Sequence, residues 1–160
     1  MALLNITSNP ASITNKKYQQ GYVDYELLDD RCINKKLGMP ITYRSSYELK
    51  FIKWLINNPK VTKWGIEVFP IRYTTADGKV HRYFPDFYVE IGDKKYVIEI
   101  KPKNQTSKPV FTSKTSLKTK HYQIKEFEKN KRKWNAALAF CKERDIEFKL
   151  VTEAGLSMIK

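Results

Sequence analysis

Residues 84–101 read Phe-Pro-Asp-Phe-Tyr-Val-Glu-Ile-Gly-Asp-Lys-Lys-Tyr-Val-Ile-Glu-Ile-Lys, with apolar alternation on both sides of a polar Gly92-Asp93-Lys94-Lys95 turn. Alternation broken by such a turn predicts two antiparallel strands, each burying one face. Pairing Ile91 with Tyr96 sets Tyr88 opposite Glu99 and Asp86 opposite Lys101. Cross-strand partners share a sheet face, as do residues two apart along one strand. Asp86, Glu99 and Lys101 therefore project together, and Phe87, Val89, Ile91, Tyr96, Ile98 and Ile100 make the opposite, core-facing side. A one-residue slip would scatter the three charged groups, so this expectation stands or falls with the register.

With 160 residues, 41% of them hydrophobic and 13% aromatic, the chain suits one domain with a real core and is short for two. Thirty Lys and Arg against seventeen Asp and Glu leave a net charge of +13. An excess of that size points to a polyanion, and the lack of a long apolar run or basic amphipathic anchor favours nucleic acid over membrane. A merely solvated basic surface is the plainer alternative, and charge alone says nothing about catalysis. Cys32 and Cys141 stand far apart without metal-ligand spacing, which suggests a reducing, cytosolic setting and no zinc site. The N-terminus lacks the charged start and apolar run of a signal peptide.

Residues 1–42 mix Asn, Ser, Thr and Pro with Tyr18, Tyr22 and Tyr25 and an acidic patch, suggesting a docked arm with a short helix near 23–31. Residues 45–58 predict a helix capped by Ser45, with Tyr47, Phe51, Ile52, Leu55 and Ile56 on one side and Pro59 closing it. Glu48, three residues after Ser45, fits a capping box; a first-turn Glu can equally point at a neighbouring sheet. Extended pieces at 61–69 and 71–75 flank Pro70, a sign of an edge or bulge, and Ala76-Asp77-Gly78-Lys79 is a hairpin turn. Glu67 is either a polar strand residue or a further acidic ligand.

From Lys101 through Lys133 there are eleven Lys or Arg and two acids, Glu126 and Glu128. A positive segment that begins at the charged cluster can follow a phosphate backbone, or can be a loop that is simply lysine-rich. Residues 121–144 predict a long helix with a core stripe of Ile124, Phe127, Trp134, Leu138 and Cys141, followed by a strand at 146–152 and a short tail. This order gives an α/β fold with a mixed sheet. The domain proper is 43–160, preceded by the arm at 1–42.

Grouped carboxylates repel unless a cation or proton intervenes. Mg²⁺ takes one or two carboxylates plus water and phosphate oxygens, so Asp86 and Glu99, with the Ile100 carbonyl as a further oxygen, suit it, and Mn²⁺ would substitute. Such a cation acidifies water and stabilises charge on a phosphate, while Lys101 steadies the nucleophile or the developing charge. Alternatively Lys101 only pairs with Asp86 or Glu99.

Pro85-Asp86, twelve residues, then Glu99-Ile100-Lys101 resembles the motif of the PD-(D/E)XK nucleases. The wider string is similar to the T4-type phage head completion nucleases, and more distantly to the TnsA-type transposon endonucleases. It runs Tyr43-Arg44-Ser45-Ser46-Tyr47-Glu48-Leu49, Trp64-Gly65, His81-Arg82-Tyr83-Phe84-Pro85-Asp86-Phe87-Tyr88 and Ile98-Glu99-Ile100-Lys101-Pro102-Lys103. The later Trp134, Ala137, Phe140-Cys141 and Phe148–Glu153 add to it, so the likeness covers about residues 41–153. It implies a restriction-endonuclease-like core in which a mixed central sheet with an antiparallel hairpin is flanked by helices. It also implies catalytic roles for Glu48, Asp86, Glu99 and Lys101, with Asp86, Glu99 and Glu48 as metal ligands. Some TnsA-type members carry Gln where Glu99 stands. Arg44, His81, Lys103 and Lys108 become candidate DNA contacts, each with plain surface charge as the alternative.

The expected activity is that of a Mg²⁺-dependent endodeoxyribonuclease acting on packaged phage DNA ends, in the host cytoplasm or with the virion, beside portal or neck proteins. Two other readings remain at this level: a nuclease fold serving as a silent DNA-binding or capsid-vertex protein, and a transposon-end endonuclease that needs a transposase. Metal-dependent cleavage separates the first from an enzyme, and the lack of an obvious partner-binding domain weighs against the second.

Overall fold

The computed structural model describes residues 20–158. The strands are β1 (Gly21–Val23), β2 (Ile41–Tyr43), β3 (Val61–Ile66), β4 (Ile71–Thr74), β5 (Val80–Tyr83), β6 (Phe87–Ile91), β7 (Lys94–Ile100) and β8 (Glu147–Val151). The α-helices are α1 (Ile33–Lys36), α2 (Ser46–Asn57), α3 (Leu117–Lys142) and α4 (Glu153–Ser157). A four-stranded mixed sheet, ordered β3-β6-β7-β8, forms the centre; β3, β6 and β7 run antiparallel in turn, and β8 joins β7 in parallel. The arrangement agrees with the expected α/β class and nuclease-like architecture.

The central hairpin forms, with a different register. Ile91 pairs with Lys94, Val89 with Tyr96 and Phe87 with Ile98, so one further step sets Asp86 opposite Glu99 rather than Lys101. The turn is the two residues Gly92-Asp93, not four. Gly92 takes a φ of +58°, which lets so short a loop close and keeps Lys94 and Lys95 in the ladder. Because the slip amounts to two residues, every side chain keeps the face expected of it.

That sheet is covered on both faces. On one lies α2, started by the Ser45 hydroxyl accepting from the Glu48 amide at 3.1 Å; it buries Leu49, Phe51, Ile52 and Leu55. Phe51 meets Phe87 edge-on at 4.7 Å. On the other face the chain turns away from β3 at Glu67, whose φ is +49°, passes Pro70, and forms the separate β4–β5 hairpin. There Ile71, Tyr73 and Tyr83 pack with Ala137 of α3 and with Phe140 and Phe148.

The stripe expected along α3 is only partly core. Trp134, Ala137 and Cys141 are buried, whereas Leu138 is exposed and so is Ile124. The helix is 26 residues long, about 39 Å at about 1.5 Å per residue, longer than the sheet it crosses, so its first half runs out beyond the sheet.

Residues 20–42 share the main core through Val23, Leu28, Cys32 and Ile41. The helix expected near 23–31 is replaced by a single 3-10 turn at Tyr25–Leu27 and the one-turn α1. The reason lies in side chains that bind elsewhere: Asp24 caps its own turn, and Arg31 donates to the carbonyls of Ile56, Asn58 and Val61. Buried Asn34 likewise donates to the Ile66 carbonyl at 2.8 Å and accepts from its amide at 2.7 Å. Tyr18 lies outside the described residues. The tail after β8 forms α4, which buries Leu156.

Candidate active site

Asp86 stands one residue before β6, Glu99 near the end of β7, and Lys101 just past it, where its amide donates to the Val151 carbonyl at 2.9 Å. Parallel pairing with β8 therefore fixes the strand end that carries the charges. Asp86 Oδ2 accepts from the Ile100 amide at 2.7 Å, and Lys101 Nζ lies 3.3 Å from Glu99 Oε1. Glu99 is 5% exposed, and its Oε2 has no hydrogen-bond partner among the described residues. Burial, then repulsion from Glu99, raises the Asp86 carboxyl far above the usual carboxylate range. Burial also raises Glu99, against the pull of Lys101. For Lys101 burial acts downward, but Glu99 and Asp86 outweigh it and hold the ammonium above its ordinary value.

Glu48 is not assembled into a three-carboxylate set. Its Oε2 accepts from the Arg44 amide at 2.8 Å and its Oε1 from the Ser45 hydroxyl at 3.3 Å, so the first turn of α2 holds it. It remains near enough to raise Asp86 and to strengthen the charge on Lys101. Among the described residues no three His, Cys, Asp or Glu side chains converge into a complete cation cage. Arg44 pairs with Glu67 at 2.7 Å, and the Glu67 amide donates to the Asp86 carbonyl at 3.3 Å, so Glu67 lines the rim as an ion-pair partner. Lys103 and Lys108 are exposed on the segment leaving β7, and the Lys103 amide is held by Glu153. His81 lies apart on β5, its ring 5.7 Å from that of Tyr73.

Two residues at the site were not anticipated. Lys133, on α3, places Nζ 5.7 Å from the ring centre of Tyr73 and 5.6 Å from that of Tyr83. Burial and then Lys129 lower its ammonium, with Glu99 pulling the other way, which puts Lys133 in the field of the buried carboxylate. The Tyr83 hydroxyl is buried without a partner among the described residues, and burial and the Glu99 charge push it upward. A signal existed: Lys133 precedes buried Trp134 and stands four residues before buried Ala137, so it shares the sheet-facing side of α3.

The donors suit a hard divalent cation. Asp86 and Glu99 present carboxylate oxygens at facing positions, and the buried Oε2 of Glu99 is an acceptor without a hydrogen-bond partner among the described residues. Two carboxylates match the one or two that Mg²⁺ commonly takes, the remaining positions falling to water and phosphate.

Residues 58–153 match the family described as TnsA-like endonuclease N terminal. The chain is also 38% identical over 131 residues to the head completion nuclease of Enterobacteria phage T4, an overlap of 78% of this chain and 87% of that protein. Asp86, Glu99, Lys101 and Lys133 fall inside the family match, and Glu48 inside neither its bounds nor the buried pair. A family match over more than half of the chain and a relative this similar across most of both lengths agree: the chain belongs to the TnsA-like endonuclease family and is related to the phage head completion nucleases.

Proposed function

We propose that the protein is a Mg²⁺-dependent DNA endonuclease that hydrolyses phosphodiester bonds at packaged phage DNA ends, with Mn²⁺ able to substitute. The observation that carries this reading is the buried, unpartnered Oε2 of Glu99 opposite Asp86, with Lys101 Nζ 3.3 Å from Oε1. Asp86 and Glu99 would hold the cation. When bound, it supplies charge for the phosphate oxygens and lowers the pKa of water.

The remaining work falls to the chain itself. The Ile100 amide keeps one oxygen of Asp86 fixed and directs the carboxylate. Lys101, one-quarter exposed, has a face toward solvent from which its ammonium can donate to the attacking water or to the charge growing on phosphorus-bound oxygen. Water adds to phosphorus and gives up a proton to solvent as one P–O ester bond breaks, and the departing oxygen takes up a proton from solvent. Lys133 adds a second positive charge from the opposite layer. The +13 net charge supports binding of the DNA backbone.

The test is cleavage of supercoiled plasmid and linear duplex in Mg²⁺, Mn²⁺ or EDTA, with Asp86→Asn, Glu99→Gln and Lys101→Ala alongside. Metal-dependent product from the wild type, lost in all three variants, is expected. Salt-sensitive DNA binding with no product in either metal would overturn the reading in favour of a DNA-binding protein that does not cut.

A further inference from the structure

A cavity of about 560 Å³ lies between residues 104–110, the segment leaving β7, and the first half of α3. Apart from Lys108, its lining is separate from the residues around Asp86 and Glu99. Its volume falls within the range of small-ligand sites, about 300–1,000 Å³. The walls combine the carboxamides of Asn104, Gln105, Gln123 and Asn130 with the rings of Tyr122 and Phe127. None of these four carboxamides is engaged by another protein group among the described residues. Tyr122 is 65% exposed, which leaves a face of its ring open to stacking. Lys108 stands at the wall, and the one acid there, Glu126, is paired with Lys129 at 3.7 Å.

Its place relative to the carboxylates follows from helix geometry. Glu126 and Lys133 are seven residues apart on one side of α3, about 10 Å at about 1.5 Å per residue. The other wall, Asn104 and Gln105, begins three residues after Lys101. A strand whose phosphate lies at Glu99 and Lys101 would reach the cavity after about three nucleotide steps at about 3.4 Å each, and after fewer if extended. Free amides read base edges, and an exposed ring stacks on any base.

Resting on the nuclease reading, we propose that this cavity binds an unpaired nucleobase of the strand being cut, within about three nucleotides of the scissile phosphate. Recognition of an unpaired base would direct cleavage to DNA ends with overhangs or to locally opened duplex. A protein segment is the competing occupant, but free carboxamides beside a ring, in a region with eleven cationic residues from Lys101 through Lys133, suit nucleic acid better.

The test uses the full chain in EDTA with duplexes bearing 2-aminopurine at single positions from the last base pair outward along an overhang. A change of twofold or more in fluorescence at one or two adjacent positions is expected, with Tyr122→Ala removing it and weakening overhang binding about tenfold. Tyr122→Trp should restore both. Equal signals at all positions, or Tyr122→Ala binding overhangs like the wild type, would overturn the proposal. Plasmid cleavage by the wild type in Mg²⁺ is scored separately: cleavage without a positional signal rejects the base site and leaves the nuclease standing.

Discussion

The Ile100 amide donates to Oδ2 of Asp86 at 2.7 Å, across the open end of the β6–β7 hairpin. One oxygen of the acid thus latches the strand pair, and the other has no hydrogen-bond partner among the described residues. Asp86→Asn keeps an oxygen for the latch and removes the charge. It should lose cleavage by about a hundredfold or more yet melt no lower than the wild type in EDTA at pH 8. Asp86→Ala, which also loses the latch, should cost about 1–2 kcal/mol relative to Asn in urea unfolding.

The raised Asp86 carboxyl, pushed up to about 8 by burial and by Glu99, predicts an inverted pH dependence for the metal-free protein. Folded Asp86 keeps its proton where the unfolded residue, with a pKa near about 3.9, has lost it. The native state therefore holds the extra proton between those values, and stability falls as pH rises through that window, by at most about 1.4 kcal/mol per pH unit for one proton. Glu99 acts in the same direction; Lys101, raised, stays charged throughout. Urea midpoints from pH 4.5 to 8 in EDTA should show this fall, millimolar Mg²⁺ should reverse it at the upper end, and Asp86→Asn should flatten it.

Two roles of Glu48 separate by substitution. Glu48→Gln keeps one acceptor oxygen for the Arg44 amide, and its NH2 can donate to the Ser45 hydroxyl where the carboxylate accepted from it, so α2 should keep its start and the thermal midpoint should hold. Cleavage should still fall about tenfold or more, because the negative charge felt by Asp86 and Lys101 is gone. Ser45→Ala, in contrast, should cost about 1 kcal/mol and spare the chemistry. Full activity in Glu48→Gln would leave Glu48 a helix cap and nothing more.

Lys133→Met preserves an apolar stem over Tyr73 and Tyr83 and deletes the ammonium. The expected result is a fold intact by circular dichroism, kcat lower by about tenfold, and DNA affinity changed by less than that. An unchanged kcat would confine Lys133 to packing.

Much of this site was legible because strand alternation fixes which side chains share a face. Asp86, Glu99 and Lys101 stayed together even though the pairing moved by two residues, since an even shift keeps the faces. The turn length was less legible: a sequence does not say whether Gly92 will adopt positive φ. Lys133 was hidden for another reason. In a helix crowded with lysines, its spacing of four from Ala137 was a faint cue, and tertiary packing is what sets it over Tyr83. Glu48 presented two sound local readings, and the structure holds the cap while leaving the carboxylate within electrostatic reach. The stripe on α3 misled because periodicity records amphipathicity and not how far the covering sheet extends.

The two cysteines are both buried, and the Gly92-Asp93 turn is exposed at the far end of β7 from the carboxylates. Five residue steps of strand separate Lys94, where the turn rejoins β7, from Glu99, about 17 Å at about 3.3 Å each. Asp93→Cys would therefore give the folded chain one accessible thiol, and a dye attached there would stand clear of bound DNA while remaining within energy-transfer range of a labelled end. The hairpin that gathers the charges at one tip offers, at its other, a fixed ruler for following where a DNA end comes to rest.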